Sequence, residues 1–154
     1  MEKFLEYLQE AEKIIKITDH LTYITFPLVK EKKLLLKIVS EIKRAVAYCI
    51  NSILQYEYMF KRIRLTNNPK TNMKIFEEKC AQRYDINKKQ ISLISELFDI
   101  VEHHEKSQME FVREEKVIIL TENSHMKIIT SEKTKEFLEL SKKLLKNSKE
   151  NILR

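Results

Sequence analysis

The sequence predicts a mainly all-α fold, an antiparallel bundle of four or five helices with one small β-hairpin at about 117–130, and three observations carry that prediction. The 154 residues contain no glycine and only two prolines, Pro27 and Pro69, so tight turns that need positive or preset φ are scarce. Apolar residues recur at intervals of three and four through most of the chain, the period of an amphipathic helix. One segment departs from it, where Val117-Ile118-Ile119-Leu120 and Ile128-Ile129 are β-branched runs on either side of the polar stretch Thr121-Glu122-Asn123-Ser124-His125. With 43% apolar residues the chain can build one core, and a single domain over 1–154 is expected.

The first helix is predicted over about 2–25. Phe4, Leu8, Ala11 and Ile15 form one stripe and Ile14, Ile17, Leu21, Ile24 and Leu28 an overlapping one, and the residue before Pro27 is pushed out of the α region. Thr18 and Asp19 leave open whether that helix is continuous. After Lys30-Glu31-Lys32 a second helix without an internal breaker is predicted to reach about Leu65, burying Leu35, Ile38, Ile42, Ala45, Cys49, Ile53, Tyr56 and Phe60. At 1.5 Å per residue it would span roughly 50 Å, against roughly 30 Å for a small domain, so it overhangs the bundle or meets a second subunit.

Asn68 followed by Pro69 suits an N-cap with proline at the first helical position, which predicts a third helix over about 69–83 through Met73, Phe76 and Cys80. Asn87 with Gln90 forms a capping pair for a fourth, about 88–105, carrying Ile91, Ile94, Leu97, Phe98 and Val101. Ser107 and Glu110 repeat the signature and predict a short helix ending near Arg113. A hairpin alone is marginal in water, so the one at 117–130 must pack on the helices or join a partner's sheet, and packing on the helices is expected. Thr130 or Ser131 then caps a last helix over about 132–148, with Phe137, Leu138, Leu144 and Leu145 inward and the final six residues fraying.

The net charge of +6 is concentrated. Residues 1–60 and 90–154 are nearly balanced, whereas 61–89 holds Lys61, Arg62, Arg64, Lys70, Lys74, Lys79, Arg83, Lys88 and Lys89 against Glu77, Glu78 and Asp85. Clustered cations attract phosphate backbones by counterion release. A solvated surface that complements a helix macrodipole is the other reading of the same residues. A smaller basic segment, Lys142 to Arg154, closes the chain.

Recognition chemistry is best placed on the outer face of the second helix, where Lys37, Arg44, Asn51, Gln55, Tyr58 and Arg62 align at intervals of three, four and seven. An aromatic beside guanidinium and amide groups can stack on a base and hold phosphates. The candidate nucleic-acid-binding residues are therefore Arg44, Asn51, Tyr58, Lys61, Arg62, Arg64, Lys70 and Lys74. An ordinary polar face is the alternative.

Other chemistries find little support. Glu96, Asp99 and His103 fall on the side of the fourth helix opposite Ile94, Leu97, Phe98 and Val101, and neither His103 nor His104 follows a glutamate by three, so no metal site is predicted. His20 and His125 stand alone. No G-x-S-x-G, glycine-rich phosphate loop or paired cysteine and histidine occurs, so no catalytic residue and no cofactor is assigned. Cys49 and Cys80 have no partner at ligand spacing and read as small buried hydrophobes. No run approaches the roughly 18 apolar residues of a membrane span. Met1-Glu2-Lys3-Phe4 opens straight into an amphipathic repeat, so a cytoplasmic protein with no membrane contact is expected.

Ala11 to Leu21, followed by a long helix carrying Ala45-Val46-Ala47-Tyr48-Cys49-Ile50-Asn51, resembles the HEPN group of helical bundles over about the first 65 residues. The stretches Asp19 to Leu36 and Met109 to Leu120 are similar to those of uncharacterised archaeal helical proteins. The HEPN resemblance implies a small bundle, a homodimer and an association with RNA or with nucleotidyltransferases. Active members carry Arg, four to six residues, then His, and no histidine here has an arginine at that distance before it. The resemblance thus implies a non-catalytic relative. The expected function is a non-enzymatic module for RNA or an RNA-associated complex. An antitoxin-like adaptor for an acidic protein partner and an enzyme with an unrecognised site are the alternatives.

Overall fold

Among the residues that the structure, a computed structural model, describes (2–31, 33–106, 109–113, 116–120 and 126–153), five helical rods surround one main core and carry a small sheet. The first rod is α1 (Lys3–His20), a π-helical turn (Leu21–Thr25) and α2 (Phe26–Val29), continuous through Thr18 and Asp19. It passes the expected stop at Pro27. The π turn explains why: the Phe26 N–H reaches back to Leu21 O, widening the rod where proline has no N–H and its ring would press on the carbonyl four residues back. On the inner side Thr18 and Thr22 are buried, and their hydroxyls donate to Ile14 O (2.6 Å) and Thr18 O (2.7 Å). Lys30 (φ 56°) closes the rod in the left-handed conformation, its N–H on Phe26 O at 2.8 Å.

The second rod, α3 (Leu34–Met59), is about 39 Å long and stops six residues short of the predicted end. It ends in a Schellman turn: Lys61 (φ 58°) donates its N–H to Tyr58 O (2.9 Å) and Arg62 donates to Glu57 O (3.0 Å). A left-handed stop with lysine in the usual glycine position leaves no mark in the sequence. At that length α3 still exceeds the roughly 30 Å of a small domain, by less than predicted. The third rod, α4 (Pro69–Ile75) with a second π turn (Phe76–Cys80), is capped as predicted by Asn68, whose Oδ1 accepts from the Lys70 and Thr71 N–H groups. It ends on another Schellman turn, with Asp85 (φ 57°) donating to Gln82 O and Ile86 to Ala81 O.

In α5 (Lys88–Lys106) the predicted capping pair is reciprocal, Asn87 N–H to Gln90 Oε1 at 2.9 Å and Gln90 N–H to Asn87 Oδ1 at 2.8 Å. The last rod, α6 (Ser131–Ile152), is capped by Thr130 Oγ1. It does not fray over its final residues as expected, since Ile152 is buried in the core and anchors them. The predicted hairpin is present as β2 (Lys116–Leu120) and β3 (Met126–Thr130), and its loop at 121–125, with His125, lies outside the described residues. A further strand, β1 (Met109–Arg113), replaces the expected short helix. It pairs antiparallel with β2 from Met109↔Leu120 to Arg113↔Lys116, and five residues of ladder outweigh a one-turn capping signature whose Ser107 is outside the described residues.

α1 runs antiparallel to α3 and α6 runs antiparallel to α1, so α6 lies parallel to α3. Ser52 Oγ donates to Phe4 O (2.8 Å), fixing α1 against α3, and Lys149 to Glu12 (2.7 Å) and Lys142 to Asp19 fix α6 against α1. Lys133 on Glu96 (3.0 Å) ties α6 to α5. Val117, Ile119 and Ile129 turn inward and seat the sheet on α3, α5 and α6, at the end where α6 begins. The connector after α3 lies at the other end. Among the described residues no helix is long and apolar enough to cross a membrane.

Candidate functional site

Ile63 is buried and anchors the connector that follows the Schellman turn, so its neighbours Lys61, Arg62 and Arg64 stay exposed. Together with Ile75 and Lys79 they line a groove of about 340 Å³. Lys79 comes from the second π turn, whose inner side is fixed by Phe76 and Cys80, both fully buried. Four cations from two segments thus converge. Lys61, Arg64 and Lys79 have no carboxylate partner among the described residues.

Arg62 is held differently. Glu57, only 2% exposed on α3, accepts from Arg62 Nη1 (2.7 Å) and Arg83 Nη1 (2.8 Å), so one buried carboxylate clamps two half-exposed guanidinium groups. Its hydrogen bond and charge hold Arg83 above its ordinary value. Burial pushes the neighbouring Cys80 thiol up to about 11, with the Glu57 carboxylate adding to the shift, and raises Tyr84 for the same two reasons. A carboxylate taken out of water must be paired, and its pairing fixes the edge of the groove. Sequence reasoning missed Glu57, and it counted Lys79 in the basic 61–89 segment without placing it among the candidate binding residues. Glu57 follows Ile53 by four on the buried stripe, which is the signal that was there to read.

Two exposed aromatics close the end of α3, Phe60 beside the groove and Tyr58 on another one. Phe60, predicted as core, is 49% exposed because the chain leaves the helix there; it lies 4.9 Å from the Tyr56 ring and under the Arg62 guanidinium at 5.2 Å. Tyr58 is 53% exposed and borders a second groove with Lys3, Gln55 and Met59.

The predicted site residues therefore separate. Lys61, Arg62 and Arg64 come together with Lys79, whereas Tyr58 lines the second groove. Asn51 is exposed one helical stripe away, on a different pocket. Arg44 stands about 21 Å from Tyr58 along α3 and is engaged by Glu41 at 2.7 Å. Lys70 and Lys74 are exposed on α4 and line neither groove.

The acidic side chains of α5 lie elsewhere. Glu77, Glu96, Asp99 and Glu102 border a groove of about 530 Å³, in which Lys127 bonds Asp99 at 2.7 Å and His103 Nδ1 approaches the Asp99 carbonyl oxygen at 2.7 Å. Among the described residues no group of His, Cys, Asp and Glu is arranged to hold a metal ion. The surface is thus polarised, cationic around the connector and anionic along α5.

No family model matches the chain, and no curated protein matches it in sequence. The functional reading rests on the geometry alone.

Proposed function

We propose that this chain is a non-catalytic helical module that binds RNA, or an RNA-associated complex, through the groove of Lys61, Arg62, Arg64 and Lys79. The observation that carries the reading is the convergence of four cations, three of them without a carboxylate partner among the described residues, next to exposed Phe60. Unpaired lysine and arginine release counterions when phosphates replace them, and adjacent aromatic faces suit unstacked bases. A HEPN-like ancestry without the Arg and His motif is compatible with this reading and belongs to the same proposal.

Fluorescence anisotropy with labelled RNA and matched DNA, from low to physiological salt, tests it. Binding should fall steeply with salt, and Lys61→Gln, Arg64→Gln and Lys79→Gln should each flatten the logarithmic salt dependence by about 0.7. Absence of binding at low salt would defeat the reading.

A second reading, an adaptor for a protein partner or a second copy of the chain, is favoured by one observation. Ile17, Ile24, Leu28 and Val29 leave an exposed apolar stripe along the first rod, Leu28 at 80%. Sedimentation at increasing concentration, with Ile24→Glu and Leu28→Glu as variants, distinguishes a homodimer from a monomer awaiting another protein.

A further inference from the structure

We propose that the pocket between α3, α4 and α5 takes an unpaired nucleobase, so that the RNA bound by this protein is single-stranded; the inference rests on the cationic groove as the phosphate site. The pocket has a volume of about 350 Å³, within the range of small-ligand sites. Its floor is apolar, built by Ile50 and Leu54 of α3, Met73 of α4 and Phe98 of α5. Its rim carries the carboxamides of Asn51 and Asn67.

Those two amides are available. Each offers an acceptor oxygen and a donor NH₂, the pair of functions that a base edge complements, and neither side chain has a partner among the described residues. Asn72, also on the pocket, is occupied: its Oδ1 accepts from the Thr66 N–H (2.9 Å) and hydroxyl (3.0 Å), and its Nδ2 donates to Thr66 O (2.9 Å). That knot fixes the connector and with it Asn67. A fixed backbone at Asn67 lowers the ordering cost when a ligand arrives.

Charge points the same way. The Lys43 ammonium lies 5.5 Å from the Phe98 ring centroid and has no carboxylate partner among the described residues, so the mouth of the pocket favours an electron-rich ligand. The connector that lines the cationic groove with Lys61 to Arg64 reaches the pocket rim at Asn67, at most about 10 Å of chain further on. A strand with phosphates in the groove can therefore offer a base to the pocket. A duplex cannot, because its base edges are paired and stacked.

The test measures anisotropy with labelled single strands of U, C and A, a hairpin duplex of equal length, and polyphosphate as competitor, on wild type and on Asn51→Ala, Asn67→Ala and the double variant. Both positions are exposed, and circular dichroism checks that the variants fold. Single strands should bind about tenfold tighter than the duplex at physiological salt. Each substitution should weaken single-strand binding about three- to tenfold and leave duplex and polyphosphate binding unchanged. Equal affinity for single strand and duplex, or an unaltered double variant, overturns the base pocket while leaving the phosphate groove standing. Failure of wild type to bind both the oligonucleotides and polyphosphate overturns the groove and the pocket together.

Discussion

The two π-helical turns of this chain, Leu21–Thr25 and Phe76–Cys80, are equally long and have opposite surroundings. The first answers a local need, making room for Pro27, and it buries only Thr22 while Ile24 and Tyr23 face outward. The second has no proline to accommodate. It is held from the inside by Phe76 and Cys80 against α3, and its outer side delivers Lys79 to the cationic groove. One widened turn is a consequence of sequence chemistry; the other is imposed by packing and sets the geometry of the candidate site.

Large-to-small substitution separates them most sharply. Phe76→Ala should cost about 3–5 kcal/mol, the range for emptying a fully buried aromatic site. Ile24→Ala in the first turn should stay within about 0.5 kcal/mol, as expected of a half-exposed side chain. Urea unfolding of both variants checks the difference, and comparable losses would show that the first turn is packed as tightly as the second.

That contrast also shows what was legible in the sequence. Periodicity located the buried stripes of most rods, but on the first rod it also drew in Ile17, Ile24 and Leu28, which are exposed; Asn68, Asn87 with Gln90, and Thr130 announced the helix starts, because a cap is written in residues next to one another. Helix ends were not legible. Lys30, Lys61 and Asp85 occupy left-handed positions where glycine would have marked the stop, so α3 was drawn too long and Phe60 was placed in the core. Strand β1 was missed because Ser107 and Glu110 carry a helix-cap signature and no glycine marks the short link to β2, which begins only three residues after β1 ends. The site was half visible: charge clustering found Lys61, Arg62 and Arg64, but it also gathered Lys70 and Lys74, which only tertiary packing separates from Lys79.

The Arg62–Glu57–Arg83 clamp gives the next test. Removing both guanidinium groups, Arg62→Ala with Arg83→Ala, strands a buried carboxylate and should cost about 3 kcal/mol. The half-exposed pair of Lys149 and Glu12, which joins the first rod to α6, should lose less than about 1 kcal/mol in Lys149→Ala. Glu57→Met with both arginines retained should lose less than the double variant, since those side chains already reach water.

Alkaline pH probes the second turn through its thiol. In the folded chain burial keeps Cys80 neutral up to about 11, whereas on unfolding it ionises near 9.0, so between those values the unfolded state holds fewer protons. Stability should therefore fall as pH rises through that window, by about 1.4 kcal/mol per pH unit for this group. Cys80→Val should flatten the decline measured by urea unfolding at successive pH values. Thr22→Val in the first turn should leave the slope unchanged, and a Cys80→Val profile parallel to wild type would mean the thiol ionises in the folded protein.

The smallest effect concerns how a chain without glycine ends its helices. A left-handed lysine or aspartate carries a steric cost that glycine avoids, offset in part by the greater freedom of glycine when unfolded. Lys30→Gly, which closes the rod of the first π turn, should raise stability by about 0.5–1 kcal/mol. Asp85→Gly, at the stop after the second, should gain less, because aspartate tolerates the left-handed region better than lysine. Ser95→Gly, exposed in the middle of α5, serves as the opposite control and should cost about 1 kcal/mol. If Lys30→Gly destabilises as Ser95→Gly does, the left-handed stop carries no strain, and the side chain of Lys30 contributes something that the backbone geometry does not explain.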